Sequence, residues 1–577
     1  MTGRRTKIVA TVGPACRDPA VLLRVIQAGA DVLRLNLSHG EADEHRAVLE
    51  AVVDLEARYG VSPGVMMDTG GPEIRVQGVG PSGLPLTAGQ EVRIGHGAAA
   101  TFAVSDAGFV TALTAGAKVL LDDGELVLTV TEAGDPVRCR VDVGGLLLNH
   151  KKLSCPGVRL GLPLLTERDL ALLDMGRAIR LDWVAASFVH DAADVFQVKR
   201  ALEEMGADVP VMAKIESRAG VDNLEEIVRV ADGIMVARGD LGVELAVEQL
   251  PWWQKRIIQV ANQAGKPVVT ATEMLESMVE HGRPTRAEVT DVANAIWDGT
   301  DAVMLSAETA AGRYPVEAVA TMARIAAEAD ARRLRGLEGR GGERLTVTAA
   351  VSHATVTAAA DLEATAIIAA TESGHTAAAV ARLRPAVPVV AVTPHAAVAR
   401  RLRVVWGVFP HVMPAARGTD EMIERALAVA MDAERIHPGD LVVVVAGVPT
   451  GQPGTTNLVR VVTVGQAILR GQGMGLERAA TGAVLVVDDV RAVSPRQAAG
   501  KILVARATDR EWVPLMEQAA GLVVEEGGLT SHAAIVGLSL GKPTIVGALD
   551  ATRRLSTGQI VTVDARRGLV YQGAARV

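Results

Sequence analysis

Eight short aliphatic runs, each followed by a stretch of helical periodicity, place the strongest constraint on how this 577-residue chain folds. Ile8–Val12, Val32–Leu37 and Val65–Asp68 precede residue 70, with predicted helices starting near Asp18 and Glu41. From about residue 160 the rhythm resumes in Val184–Val189, Val211–Ile215, Ile234–Val236, Val268–Thr270 and Ala302–Leu305. Parallel strands buried on both faces read as continuous branched-aliphatic runs, and eight strand–helix units close a (β/α)8 barrel. Aromatic residues are only 2% of the chain, so its cores must be built from Ala, Val, Leu and Ile. Polar residues gather at the C-terminal end of nearly every run, the face where such barrels place their chemistry.

A chain of this length exceeds what one core can organise. The predicted architecture is α/β: a TIM barrel from 1–71 and 159–340, with a small β lid at 72–158 inserted after the third strand. The lid segment is punctuated by glycine and predicts no helix. A second βα alternation (Ala366–Ala370, Val389–Val392, Leu441–Ala446) predicts an open α/β domain over 341–472, and a last domain occupies 480–577. The net charge of −8, without a basic stripe, argues against a nucleic-acid partner. Three separated cysteines without a CxxC pair read as free thiols of a reducing compartment. No run reaches about 18 apolar residues, so no membrane span is expected, and the protein reads as cytoplasmic.

Chemistry concentrates at the strand ends. Lys214-Ile215-Glu216 closes one predicted strand and Ala237-Arg238-Gly239-Asp240 the next. Glu216 and Asp240 then share one rim, offering the partial hard-oxygen coordination that Mg²⁺ favours; a structural ion-pair cluster is the other reading. Lys214 beside them is a fixed cation for a transferring phosphoryl group or a developing enolate. Asn36, Ser38, Asp68 and Thr69 bring oxygens for a monovalent cation, or cap their loops, and Arg34 suits a phosphate. Thr272 and Ser306 end the last two strands, with hydroxyls for a carboxylate or a proton relay, or equally for capping their loops. No Walker loop is present; Gly537–Lys542 has the wrong spacing and runs into Pro543.

The ordered set of strings resembles the pyruvate kinase family over the first 470 or so residues. It comprises Lys7–Pro14, Arg34–His39, Asp68–Arg75, Lys214–Glu216, Ile234–Gly242, Met274–Met278, Arg283–Glu288, Asp291–Asn294 and Met304–Thr309. The resemblance implies transfer of a phosphoryl group from phosphoenolpyruvate to ADP, giving pyruvate and ATP. It implies Mg²⁺ (or Mn²⁺) on Glu216 and Asp240, K⁺ on Asn36, Ser38, Asp68 and Thr69, and phosphate on Arg34. Lys214 stabilises the transition state, Gly239, Asp240 and Thr272 hold the substrate carboxylate, and protonation at carbon runs through a water near Thr272 and Ser306. Asn36, His39, Arg75 and one of Lys151 and Lys152, with Lys152 favoured, meet the nucleotide. Glu73 stands where K⁺-independent members carry lysine, and Gly70 replaces the family's usual lysine. A homotetramer is expected on the same basis.

Two further segments suggest control. Thr371, Ser373, Gly374, His375 and Thr376 form a hydroxyl-rich helix start suited to a phosphate, where the resemblance places an effector. The resemblance implies that members answering to fructose 1,6-bisphosphate lack an acid at the position of Glu372, which would repel a second phosphate, so the expected effector is AMP or a sugar monophosphate. Gly527–Gly537 resembles the mobile phosphohistidine domain of phosphoenolpyruvate-utilising enzymes, with His532 at the nucleophile position. The competing functions are a non-catalytic metabolite sensor, opposed by intact Lys214, Glu216, Asp240 and Thr272, and a dikinase. The dikinase needs an ATP-grasp domain for which the chain has no room.

Overall fold

The computed structural model describes residues 3–97, 99–122, 124–158, 163–332, 346–448, 456–465, 467–474 and 479–575. Two compact units emerge, one holding residues 1–344, 381–384 and 395–410, the other 345–380, 385–394 and 411–577.

In the first unit the aliphatic runs form β1 (Lys7–Thr11), β2 (Val32–Asn36), β3 (Gly64–Asp68), β4 (Trp183–Ala186), β5 (Val211–Ile215), β6 (Gly233–Ala237), β7 (Val268–Ala271) and β8 (Ala302–Leu305). They close a barrel in sequence order, and every neighbouring pair is parallel, including β1 with β8. Almost every residue in these strands is buried, as two-sided packing demands. The helices start where polar caps allow: Asp18 accepts from Ala20 and Val21 N–H ahead of Pro19–Ala28. Glu41 and Glu44 form a capping box at the head of Ala42–Tyr59. β4 is shorter than its apolar run predicts, ending at Ala186 before Phe188 turns to a φ of +59°.

Between β3 and β4 lies a seven-stranded, mostly antiparallel sheet around its own core, which includes Val92, Leu128, Cys139 and Cys155. The inserted segment does contain a helix, Ala107–Ala112, begun by Asp106 accepting from Phe109 N–H. Where the chain leaves β3, Asp169 accepts from Gly70 N–H at 2.8 Å and Gly71 N–H at 3.3 Å.

In the second unit, Val389–Thr393, Ala366–Ala370 and Leu441–Ala446 are parallel neighbours, and Leu458–Thr463 joins antiparallel. A separate eight-stranded sheet ends the chain, and takes in Ala467–Arg470 and Gln472–Met474, upstream of residue 480. Among the described residues, no helix is long and apolar enough to cross a membrane.

Candidate active site

The barrel brings the C-terminal ends of β2, β3, β5 and β6 into one charged network. Asp68, fully buried at the end of β3, accepts from Arg34 Nε through Oδ2 at 2.6 Å. Its Oδ1 lies 3.1 Å from the Lys214 ammonium, which also sits 2.8 Å from Glu216 Oε1 and donates to Ser187 Oγ at 2.7 Å. Arg34 Nη1 donates to Thr11 Oγ1 at 3.1 Å, tying the network to β1. Burial opposes charge on Asp68, but Arg34 and Lys214 outweigh it and hold its carboxyl below the usual range. Burial likewise opposes the Lys214 ammonium, yet Asp68 and Glu216 raise its pKa, so it stays charged at neutral pH.

Glu216 behaves differently. Burial pushes its carboxyl up and the charge of Asp240 adds to the push, with Lys214 opposing. Two carboxylates crowd one rim, and a divalent cation between them relieves both effects; the donor set is all hard oxygen, as Mg²⁺ or Mn²⁺ requires. Among the described residues no group of three or more His, Cys, Asp or Glu is placed to hold a metal, so substrate oxygens and water must complete such a site. Asp240 itself carries a lid cation: Lys152 Nζ donates to its Oδ1 at 2.6 Å and stands 5.5 Å from the Phe188 ring centroid. Burial opposes charge on Asp240, but Lys152 and Lys214 hold its pKa down.

Lid and barrel rim line a cavity of about 510 Å³ whose walls include His39, Arg75, Lys152, Gly239, Asp240 and six further residues, among them Lys151, Asp122 and His150. The adjacent lysines part company: Lys151 pairs with Asp122 at 2.8 Å within the lid, and Lys152 crosses to the barrel. Arg75 pairs with Glu73 and donates to His150 O at 3.0 Å. Asn36, grouped with the nucleotide and K⁺ residues by sequence, turns Oδ1 onto Ser38 N–H at 3.2 Å. Thr69 Oγ1 accepts from Ser187 N–H at 3.1 Å.

At the end of β7, Thr272 Oγ1 accepts from Gly239 N–H at 2.8 Å and donates to Ala271 O at 2.6 Å. Ser306 N–H donates to Glu308, which also holds Leu275 N–H, while Ser306 Oγ is buried with no hydrogen-bond partner among the described residues. In the second unit, Thr371 Oγ1 accepts from Gly374 N–H at 2.9 Å, and Thr376 and Thr456 pair through buried hydroxyls at 2.8 Å. The segment 449–455, part of the loop expected to face this turn, lies outside the described residues. His532 heads the helix His532–Ser539, with Nδ1 3.1 Å from Thr508 Oγ1.

Sequence reasoning missed Ser187 and Phe188. Both follow β4, whose predicted run continued to Val189, so they read as strand interior rather than rim. Arg238 directly follows β6, and its residue type alone gives no role at the rim.

Comparison with known proteins agrees with this fold. Residues 3–319 match the pyruvate kinase barrel domain, 349–462 the pyruvate kinase alpha/beta domain, and 497–568 the mobile domain of PEP-utilising enzymes. The chain is 43% identical to pyruvate kinases of Sporosarcina psychrophila and Bacillus licheniformis, and 41% to that of Staphylococcus aureus (strain MRSA252), each over the full length of both chains. A crystal structure of a pyruvate kinase from Cryptosporidium parvum superposes with a TM-score of 0.75 at 36% identity, covering 80% of this chain and 96% of that one. The chain belongs to the pyruvate kinase family of metal-dependent phosphotransferases.

Proposed function

We propose that the barrel rim transfers the phosphoryl group of phosphoenolpyruvate to ADP, with Mg²⁺ on Glu216 and Asp240 and K⁺ on Asn36, Ser38, Asp68 and Thr69. The observation that carries this reading is the Lys214 ammonium, buried between Asp68, Glu216 and Ser187 and kept charged by them. A fixed, desolvated cation costs no reorganisation when charge moves from the phosphoryl group to the enolate oxygen. The ADP β-phosphate oxygen forms the new P–O bond while the P–O bond to the enolate breaks. The enolate then takes a proton at carbon, from a water near Thr272 and Ser306, to give pyruvate. Divalent metal supplies Lewis-acid polarisation of the phosphoryl oxygens there.

Arg34 orients the phosphate, and Gly239 N–H with Thr272 suits the substrate carboxylate. His39, Arg75 and Lys152 line the cavity where the nucleotide phosphates enter. The reach of Lys152 to Asp240 supports the choice of Lys152 over Lys151, and this lysine then exchanges Asp240 for a phosphate. Residues 72–158 act as the lid of a barrel built from 1–71 and 159–340. Residues 341–472 carry the effector turn, where Thr371, Ser373, Gly374, His375 and Thr376 take the phosphate of AMP or a sugar monophosphate. The active species is a homotetramer, and 480–577 serves a structural or regulatory role.

One kinetic experiment tests these assignments. Initial rates over a phosphoenolpyruvate series should collapse when Na⁺ replaces K⁺, because Glu73 stands where K⁺-independent members carry a lysine. High activity in sodium-only buffer sinks the K⁺ assignment. AMP or ribose 5-phosphate should lower the half-saturating phosphoenolpyruvate concentration. A large drop with fructose 1,6-bisphosphate alone rejects the monophosphate reading.

A further inference from the structure

Thr272 and Glu273 both have positive φ, +67° and +53°, although neither is glycine. For a β-branched residue this is a true outlier, and two in succession persist only where their surroundings over-determine them. The strand ladder does not do so. β6 and β7 pair from Ile234↔Val268 to Ala237↔Ala271, and the ladder ends one step before Thr272.

The next residue after that last pair on β6 is Arg238, and its side chain takes over. Its Nη2 donates to Thr272 O at 2.6 Å and to Glu273 O at 3.0 Å, and its Nε to Thr272 O at 3.2 Å. The same guanidinium is anchored from behind, Nη1 donating to Asp291 at 2.6 Å and to Gln254 at 3.3 Å. Gly239 N–H meanwhile holds the Thr272 hydroxyl. Thr272 is therefore gripped at its carbonyl by a side chain and at its hydroxyl by the adjacent backbone. A lysine, with one compact ammonium, cannot make this fork to two carbonyls while keeping Asp291.

We infer that Arg238 is a positioning residue for the phosphoryl-transfer reaction, holding Thr272 in its left-handed conformation with Asp291 as its anchor. The inference rests on the assignment of Thr272 to the site above. It is separable from loop stabilisation by a double-mutant cycle read in kcat, since a residue acting through another loses its effect when that other is removed. R238Q should lower kcat by about tenfold to a hundredfold, the scale expected from a misplacement of about 1 Å. T272A should lower kcat as well, and R238Q/T272A should be no slower than T272A alone. R238K should resemble R238Q, and serves in its place if the glutamine variant does not fold by circular dichroism. Full kcat in R238K or R238Q, or losses that multiply in the double variant, overturn the inference. Wild-type kcat in T272A instead removes the Thr272 assignment, a result distinct from a slow T272A beside a fast R238Q.

Discussion

Asp68 is shared between two cations, Arg34 on one oxygen and Lys214 on the other, and this sharing decides what each residue is worth. Lys214→Met leaves Glu216 buried without its nearest positive charge. Breaking such a pair costs about 3–5 kcal/mol, and loss of a preorganised charge at the reacting oxygen costs about 10²–10³-fold in kcat. Urea midpoints and a coupled pyruvate assay on Lys214→Met should show both losses together. Which side chains meet was only partly legible in the sequence. Lys214, Glu216 and Asp240 stood out because they fall at barrel strand ends, the face where such folds place their chemistry. Lys151 and Lys152 could not be separated, since neighbours on a strand face opposite ways and the lid's placement decides which one reaches the rim. Ser187 carried no signal, being a serine after a run of alanines.

Among the elements, the lid's strands were legible from alternation and its helix was not. Ala107–Ala112 is too short for a helical period to register, and only the Asp106 cap marks it. The lid core also sets an alkaline limit. Burial, with a further push on Cys139 from Cys155 and on Cys155 from Glu244, lifts both thiols from 9.0 to about 12. A raised folded-state pKa adds stability that is whole below 9.0 and is lost as pH climbs towards about 12. Far-UV circular dichroism should therefore hold steady to about pH 9 and decline above it. At pH 8 the native protein should react with a disulfide reagent far more slowly than the denatured chain, because thiolate is the attacking form.

For the whole molecule, the barrel and the α/β segment were legible because each repeats one strand–helix period, while the last sheet was legible only through its resemblance to a carrier domain. That sheet recruits Ala467–Arg470 and Gln472–Met474, both upstream of residue 480, where the last domain was expected to begin. Pairing across the sheet, not local pattern, assigns them. His532→Ala should leave the coupled rate within about twofold of wild type, since direct transfer at the barrel needs no carrier. Intact mass after incubation with phosphoenolpyruvate should show no added phosphoryl group in either protein. The seam between β1 and β8 has a consequence in time. Thr11 Oγ1 donates to Leu305 O, Thr309 Oγ1 donates to Thr11 O, and Arg34 leans on the same Thr11. The lid's strands, from Ile74 to Ser154, leave the ribosome before five of the eight barrel strands exist. A growing chain thus carries a finished lid over an open half-barrel, and Arg34 gains its full setting only when a segment 294 residues after Thr11 arrives to close the ring.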